Sequence, residues 1–256
     1  MKKLFKQLLG FALVTVTVFL AAACPMYNDI DSKGIPKFVS VNYIDLSQTD
    51  GAGKPLINKI SRFRSSEGHD YSDRFENNRS MKHYFATPNS QTKIYAPVSG
   101  TITQCTKETY ENSGYQLHIA SDSYPAFKFI IFHMEPIKDF IFGEKVTAGQ
   151  VLGNHTRNEY TFSSDIAVKV YTLKGDRLVS YFETLTPEAL KPYTDRYAIS
   201  NPGRDFLEDV IISKAERDAH PLHLKGKDAF ADAESDPLEQ DVFLDEAWGT
   251  PPLIRF

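Results

Sequence analysis

The fold is decided by two stretches of the sequence, residues 94–102 (IYAPVSGTI) and residues 143–153 (GEKVTAGQVLG). In each of them, β-branched or aromatic residues stand beside Gly- or Pro-containing turn sequences, which is the pattern of short strands joined by tight turns. The same pattern of short β-branched or aromatic runs between turn residues recurs elsewhere in the chain. Strands are predicted at residues 37–45, 93–96, 100–105, 115–120, 127–132, 150–153 and 166–172. The sequence therefore predicts a mainly β protein, an antiparallel β-sandwich.

Beyond residue 182 the pattern becomes helical. Residues 186–188 combine a threonine N-cap, a proline at the first helical position and an acid in the first turn. Ser213 and Glu216 have the spacing of a capping box. The predicted organisation is a signal peptide at 1–23, a tether at 24–59, a β domain at 60–182 and a helical, acidic C-terminal extension at 183–256.

The N-terminus has the composition of an export signal. Lysines at positions 2, 3 and 6 precede an apolar run of about 16 residues, which is too short for a membrane span and ends in three alanines. Residues 20–24 (LAAAC) resemble a bacterial lipobox, so Cys24 is expected to become the lipid-modified mature N-terminus. The alternative is an ordinary signal peptide followed by an incidental cysteine. Either interpretation predicts a protein of the cell envelope, on the periplasmic side if the cell is Gram-negative, and the lipid would anchor it to the membrane.

Charge and cysteine content exclude some classes of protein. The chain has 29 Lys and Arg against 33 Asp and Glu, and no basic block, which argues against nucleic acid as a partner. Cys105 is the only cysteine besides Cys24, so the sequence offers no disulfide framework if Cys24 is acylated.

One short motif has the spacing of a metal site. His69 and Asp73 are separated by three residues, and imidazole nitrogen and carboxylate oxygen are common zinc ligands. The alternative interpretation is a loop histidine that forms a hydrogen bond with a nearby acid.

Four further segments follow His69 and Asp73 along the chain. They are residues 94–102 (IYAPVSGTI), 114–119 (GYQLHI), 130–134 (IIFHM) and 143–153 (GEKVTAGQVLG). Taken together, residues 69–170 resemble the lysostaphin/LytM-type zinc endopeptidases, which cut peptide cross-links in peptidoglycan. The resemblance implies a small hybrid-motif β-sandwich with a metal groove on one face. The resemblance implies that His69 and Asp73 are zinc ligands and that His133 is a catalytic histidine that transfers a proton during the reaction.

The chain departs from this family where the third zinc ligand is expected. The family has His-x-His on a strand, whereas this chain has Asp165 and Ala167 in those positions, and alanine cannot bind a metal. Because residues two apart on a strand face the same side, Asp165 is expected to share the groove and to replace the missing ligand. His155 and His83 are further candidates, and His83 lies in an insertion that separates the first motif from the next strand.

Three functions remain open from the sequence. The first is an envelope metallopeptidase with an altered zinc site, acting on peptidoglycan or another peptide. The second is an inactive LytM-like module that binds peptidoglycan or regulates a cell-wall hydrolase. The third, a biotinyl/lipoyl-like adaptor, is the least favoured because the hairpin lacks the lysine that a carrier needs.

Overall fold

The computed structural model of the protein describes residues 27–109, 112–158, 161–238 and 241–245. The predicted signal peptide and the predicted lipidation site at Cys24 lie outside the described residues. Among those residues, no helix has both the length and the apolar character needed to cross a membrane.

Short strands make up most of the regular structure. They are β1 (Lys59–Ile60), β2 (His83–Ala86), β3 (Lys93–Tyr95), β4 (Gly100–Lys107), β5 (Tyr115–Ser121), β6 (Phe127–Pro136), β7 (Lys145–Val146), β8 (Val151–His155), β9 (Ser163–Thr172), β10 (Gly175–Val179), β11 (Leu224–Lys225), β12 (Ala229–Phe230) and β13 (Val242–Phe243). The predicted strands from residue 93 onward all exist, and β9 begins three residues earlier than expected. That earlier start places Asp165 inside the strand.

Within the described part of the chain, eleven strands join one antiparallel sheet. The order along it is β13-β1-β2-β9-β6-β5-β4-β7, with β10 beside the second half of β9, β8 beside the end of β6, and β3 beside β8. The expected mainly antiparallel β class is therefore confirmed. The insertion noted in the sequence supplies β2, which pairs with β9 from His83↔Ile166 to Ala86↔Ser163.

The central strand β9 separates two apolar clusters. Ile166, Val168 and Val170 point to the large core of the domain, and all three are fully buried. Residues of the opposite parity point to the other face of the sheet, as the two-residue period of a strand requires. There Ala167 packs in a smaller cluster with Phe63, Met81, Ile130, Phe132 and Leu178. The candidate site lies beside this smaller cluster.

The segment before β1 packs against the domain. Val39, Tyr43 and Ile44 of the predicted tether are at most 1% exposed and belong to the large core. The strand predicted at residues 37–45 is not formed, and that prediction was wrong. The segment instead makes single bridges, Val39↔Leu185 and Ile44↔Ile94, because it pairs with two different partners and bends between them.

Helices are short and mostly follow the sheet. They are α1 (Ile30–Lys33), α2 (Tyr181–Thr184), α3 (Pro187–Ser200), α4 (Phe206–Val210) and α5 (Lys214–Ala219). Thr186 caps α3 through its hydroxyl, and Ser213 and Glu216 form the capping box of α5, as the sequence predicts. The predicted helical extension thus begins directly after β10.

Candidate functional site

A groove of about 940 Å³ crosses one face of the sheet. Five neighbouring strands each contribute a residue to its wall: Tyr84 from β2, Asp165 from β9, Phe132 from β6, Gln116 from β5 and Thr106 from β4. Neighbouring strands lie about 4.8 Å apart, so the four intervals give the groove a length of about 19 Å. The groove therefore runs across the strands rather than along them.

A β-bulge in β6 brings two consecutive residues to the groove. Leu117 pairs with Ile131 and Tyr115 pairs with Met134, so β6 has one more residue than β5 between these pairs. The extra residue is accommodated by a positive φ of 55° at His133, a backbone conformation that non-glycine residues rarely adopt. Phe132 and His133 consequently both line the groove, although they are adjacent in sequence.

Both ring nitrogens of His133 lie beside carboxylates. Nδ1 is 2.6 Å from Oε2 of Glu108, and Nε2 is 3.3 Å from Oδ2 of Asp165. Glu108 also accepts a hydrogen bond from the backbone N–H of His133 at 2.9 Å. Burial alone would lower the pKa of His133, but the two carboxylates outweigh it and raise the pKa to about 10. The ring is therefore an imidazolium at neutral pH.

Asp165 is fully buried between two cations. Its Oδ2 accepts a hydrogen bond from Nζ of Lys82 at 2.9 Å and also faces His133, while Oδ1 accepts one from the Ser163 hydroxyl at 2.8 Å. Burial would raise the pKa of Asp165, but the Lys82 ammonium and His133 hold it well below its usual range. The carboxylate is thus ionised, and Lys82, His133 and Ser163 surround its two oxygens.

Lys82 was not expected in the site. Its side chain is 2% exposed, and its ammonium lies 3.4 Å from Nε2 of His69 as well as against Asp165. The aromatic rings of Tyr71, Tyr84 and Phe132 surround it, with centroids 5.4, 4.5 and 4.4 Å from Nζ. Burial lowers the pKa of Lys82, but the Asp165 carboxylate more than offsets this effect and the pKa is raised. The lysine therefore stays charged inside the protein.

His69 lies at the exposed rim of the groove. Its Nδ1 is 3.0 Å from the carbonyl oxygen of Asp70. The preceding residue must be a glycine: Gly68 has a φ of 72°, and a Cβ there would lie 2.3 Å from the Tyr84 hydroxyl oxygen. This close approach sets the path of the loop that presents His69.

Asp73, the second predicted zinc ligand, does not reach the groove. Its Oδ1 accepts hydrogen bonds from the backbone N–H groups of Phe75 and Glu76, and its Oδ2 accepts one from Leu178 at 2.8 Å. This is the arrangement of an aspartate that closes its own turn. The carboxylate thus joins that turn to β10, and the structure does not bring it together with His69.

The residues present do not fit zinc as the resemblance implies. Lys82 places a positive charge between Asp165 and His69, Asp73 points elsewhere, and Ala167 is packed among apolar side chains. Among the described residues, no group of three or more His, Cys, Asp or Glu side chains is arranged to bind a metal ion.

The other candidate histidines lie away from the groove wall. His83 faces the large core, where its ring nitrogens contact the carbonyl oxygen of Ser61 at 2.9 Å and the Ser180 hydroxyl at 2.7 Å. Burial lowers the pKa of His83 to about 4. His155 is fully buried at the end of β8, and burial together with the charge of His133 lowers its pKa to about 4. Both histidines are neutral at physiological pH.

Solved structures similar to this chain include several peptidases. The catalytic domain of lysostaphin from Staphylococcus simulans is 15% identical, with a TM-score of 0.35 over 47% of this chain and 88% of that one. The catalytic domain of the M23 protein EnpA of Enterococcus faecalis, solved as a point mutant, is 18% identical, with a TM-score of 0.35 over 53% and 94%. The SpoIIQ-SpoIIIAH pore-forming complex is 11% identical, with a TM-score of 0.37 over 59% and 90%.

The chain spans about half of lysostaphin, 49% of the chain in its solution structure. No family model matches the chain, and no curated protein matches it either. These similarities are too distant to assign residues, so the interpretation of the groove depends on its own geometry.

Proposed function

We propose that this protein is a LytM-like module of the cell envelope that binds peptidoglycan peptides in its groove without cleaving them. The observation that carries the proposal is the position of His133. A histidine that removes a proton from a water molecule needs an unprotonated ring nitrogen directed at that water. Here both ring nitrogens face carboxylates, Glu108 on one side and Asp165 on the other.

The groove itself supports peptide binding. Its volume of about 940 Å³ falls within the range of ligand sites in proteins. Its length of about 19 Å corresponds to about six residues of extended peptide, at about 3.3 Å per residue. Polar groups of Thr106, Gln116 and Ser113 lie along the wall and can bind peptide N–H and C=O groups. A module of this kind needs an open groove but no metal.

A metallopeptidase with an altered zinc site is supported less well by the same geometry. That function needs Asp165 as a free ligand and His133 as a free base, whereas Asp165 is paired with Lys82 and His133 is paired with Glu108. Regulation of a cell-wall hydrolase remains an alternative role for the same non-cleaving groove.

Location in the envelope is part of the proposal. The supporting feature is the export signal predicted at residues 1–23, followed by Cys24, whose lipid would anchor the mature chain to the membrane. A fatty-acid label that marks the wild type and not Cys24→Ser would support the anchor, and equal labelling of both would contradict it.

Binding without cleavage can be measured on isolated peptidoglycan. We expect the purified protein to cosediment with sacculi in a saturable manner and to release no soluble peptides above the buffer blank, with or without added zinc. Thr106→Trp should fill the groove and weaken binding, whereas Gln104→Trp, on the same strand but outside the groove, is the matched control. Zinc-dependent release of peptides, or equal binding by both variants, would contradict the proposal.

A further inference from the structure

We propose that the ammonium of Lys82 is a built-in cation that takes the place of a metal ion, and that its removal exposes a latent divalent-metal site. The protein ligands of that site would be His69 and Asp165, with water in the remaining positions. This inference concerns the charge at the centre of the groove, and it holds whether or not the groove binds peptidoglycan.

The donor atoms of His69 and Asp165 meet at the lysine nitrogen. Nζ of Lys82 is 2.9 Å from Oδ2 of Asp165 and 3.4 Å from Nε2 of His69. The same Oδ2 is 3.3 Å from Nε2 of His133. Imidazole nitrogen and carboxylate oxygen are both common zinc ligands, at about 2.0–2.2 Å. His133 is paired with Glu108 on its other side and is not counted among the ligands. The side chains would need to move inward by about 1 Å to close on an ion.

Burial shows that Lys82 is part of the site and not a surface lysine that bends into it. The side chain is 2% exposed and crosses a wall of three aromatic rings to reach Asp165. Lys82 and Tyr84 share the groove face of the β2 segment, while His83 between them faces the core. Lys82 directly precedes β2, and its contacts with Asp165 and the three rings hold it in the groove.

Charge balance excludes a metal ion while Lys82 is present. The Lys82 ammonium lies 2.9 Å from Oδ2 of Asp165, and both side chains are buried, so the carboxylate already has a cation where a metal ion would bind. A divalent cation would add two positive charges next to an ammonium in a poorly hydrated site, which is strongly unfavourable. Removal of Lys82 leaves the Asp165 carboxylate without this cation and opens a volume at the same point.

The test measures zinc itself as the ligand, using the full chain. Equilibrium dialysis and calorimetry with zinc should show about one ion bound per Lys82→Ala chain, at least about tenfold tighter than any binding by the wild type. The ion should also raise the melting temperature of the variant and not that of the wild type. Cobalt in place of zinc gives a visible absorption spectrum that reports nitrogen and oxygen ligands. Lys82→Ser serves as a second variant if Lys82→Ala folds poorly.

Two controls separate this site from zinc bound by surface histidines. Lys82→Ala combined with Asp165→Asn should lose the added ion, because the anionic ligand is gone. Lys82→Met should gain less zinc than Lys82→Ala, because the methionine fills the volume. The proposal would be overturned if the wild type bound zinc at this site as tightly as Lys82→Ala. It would also be overturned if neither Lys82→Ala nor Lys82→Ser gained an ion.

Discussion

Replacing Asp165 by alanine is expected to lower the free energy of unfolding by about 3–5 kcal/mol, because the change leaves the Lys82 ammonium buried without its carboxylate. The lysine is 2% exposed and cannot reach water without disturbing the aromatic rings around it. His133 loses one of its two carboxylate partners at the same time. Urea unfolding followed by circular dichroism measures the effect.

The reason for the loss can be tested with a second substitution. Asp165→Ala combined with Lys82→Met should recover most of the lost stability, because both charges are then absent from the interior. Asp176→Ala is the matched control: Asp176 pairs with Lys169 at 3.5 Å, is half exposed, and should contribute at most about 1 kcal/mol. The explanation fails if Asp165→Ala lowers the free energy of unfolding by no more than Asp176→Ala does.

The second large effect is expected at Arg217, which joins the C-terminal extension to the β domain. Its side chain is fully buried, forms a bidentate pair with Asp236 at 3.1 and 2.8 Å, and donates to the carbonyl oxygen of Arg64 at 2.8 Å. Arg217→Met leaves the buried Asp236 carboxylate unpaired and should also cost about 3–5 kcal/mol. Limited proteolysis should then cut within residues 220–238 at lower protease concentrations than in the wild type.

The same substitution should weaken ligand binding, because the extension helps to shape the groove. The backbone N–H of Asp70, next to His69, donates to the carbonyl oxygen of Asp228 at 2.8 Å, and Asp241 pairs with Lys59 at the groove wall. Lys214→Met provides the control, since Lys214 forms an exposed pair with Asp218 on α5. Equal protease sensitivity of the two variants would show that Arg217 does not secure the extension.

Local sequence patterns predicted most of the fold. Strands after residue 93 and the caps at Thr186 and Ser213 follow from β-branched runs, turn residues and capping chemistry, all of which act within a few positions. The predicted strand at residues 37–45 was wrong because its pairing is decided by two distant partners, which a local pattern does not contain.

The site was predicted only in part, for the same physical reason. His69, His133 and Asp165 do line one groove, but the motif spacing that selected Asp73 is equally compatible with a turn that the aspartate closes itself. Lys82 was missed because it lies just before β2, where no strand pattern marks the direction of its side chain. Glu108 lies 25 positions from His133 and only the pairing of β4, β5 and β6 brings them together.

The most direct test of the central claim is a crystal structure of the wild-type protein grown with excess zinc, with diffraction data collected at the zinc absorption edge. The account predicts electron density for the Lys82 ammonium beside Asp165, and no anomalous peak within bonding distance of that carboxylate. A zinc peak bonded to Asp165 and His69, with the Lys82 side chain displaced from the groove, would contradict it.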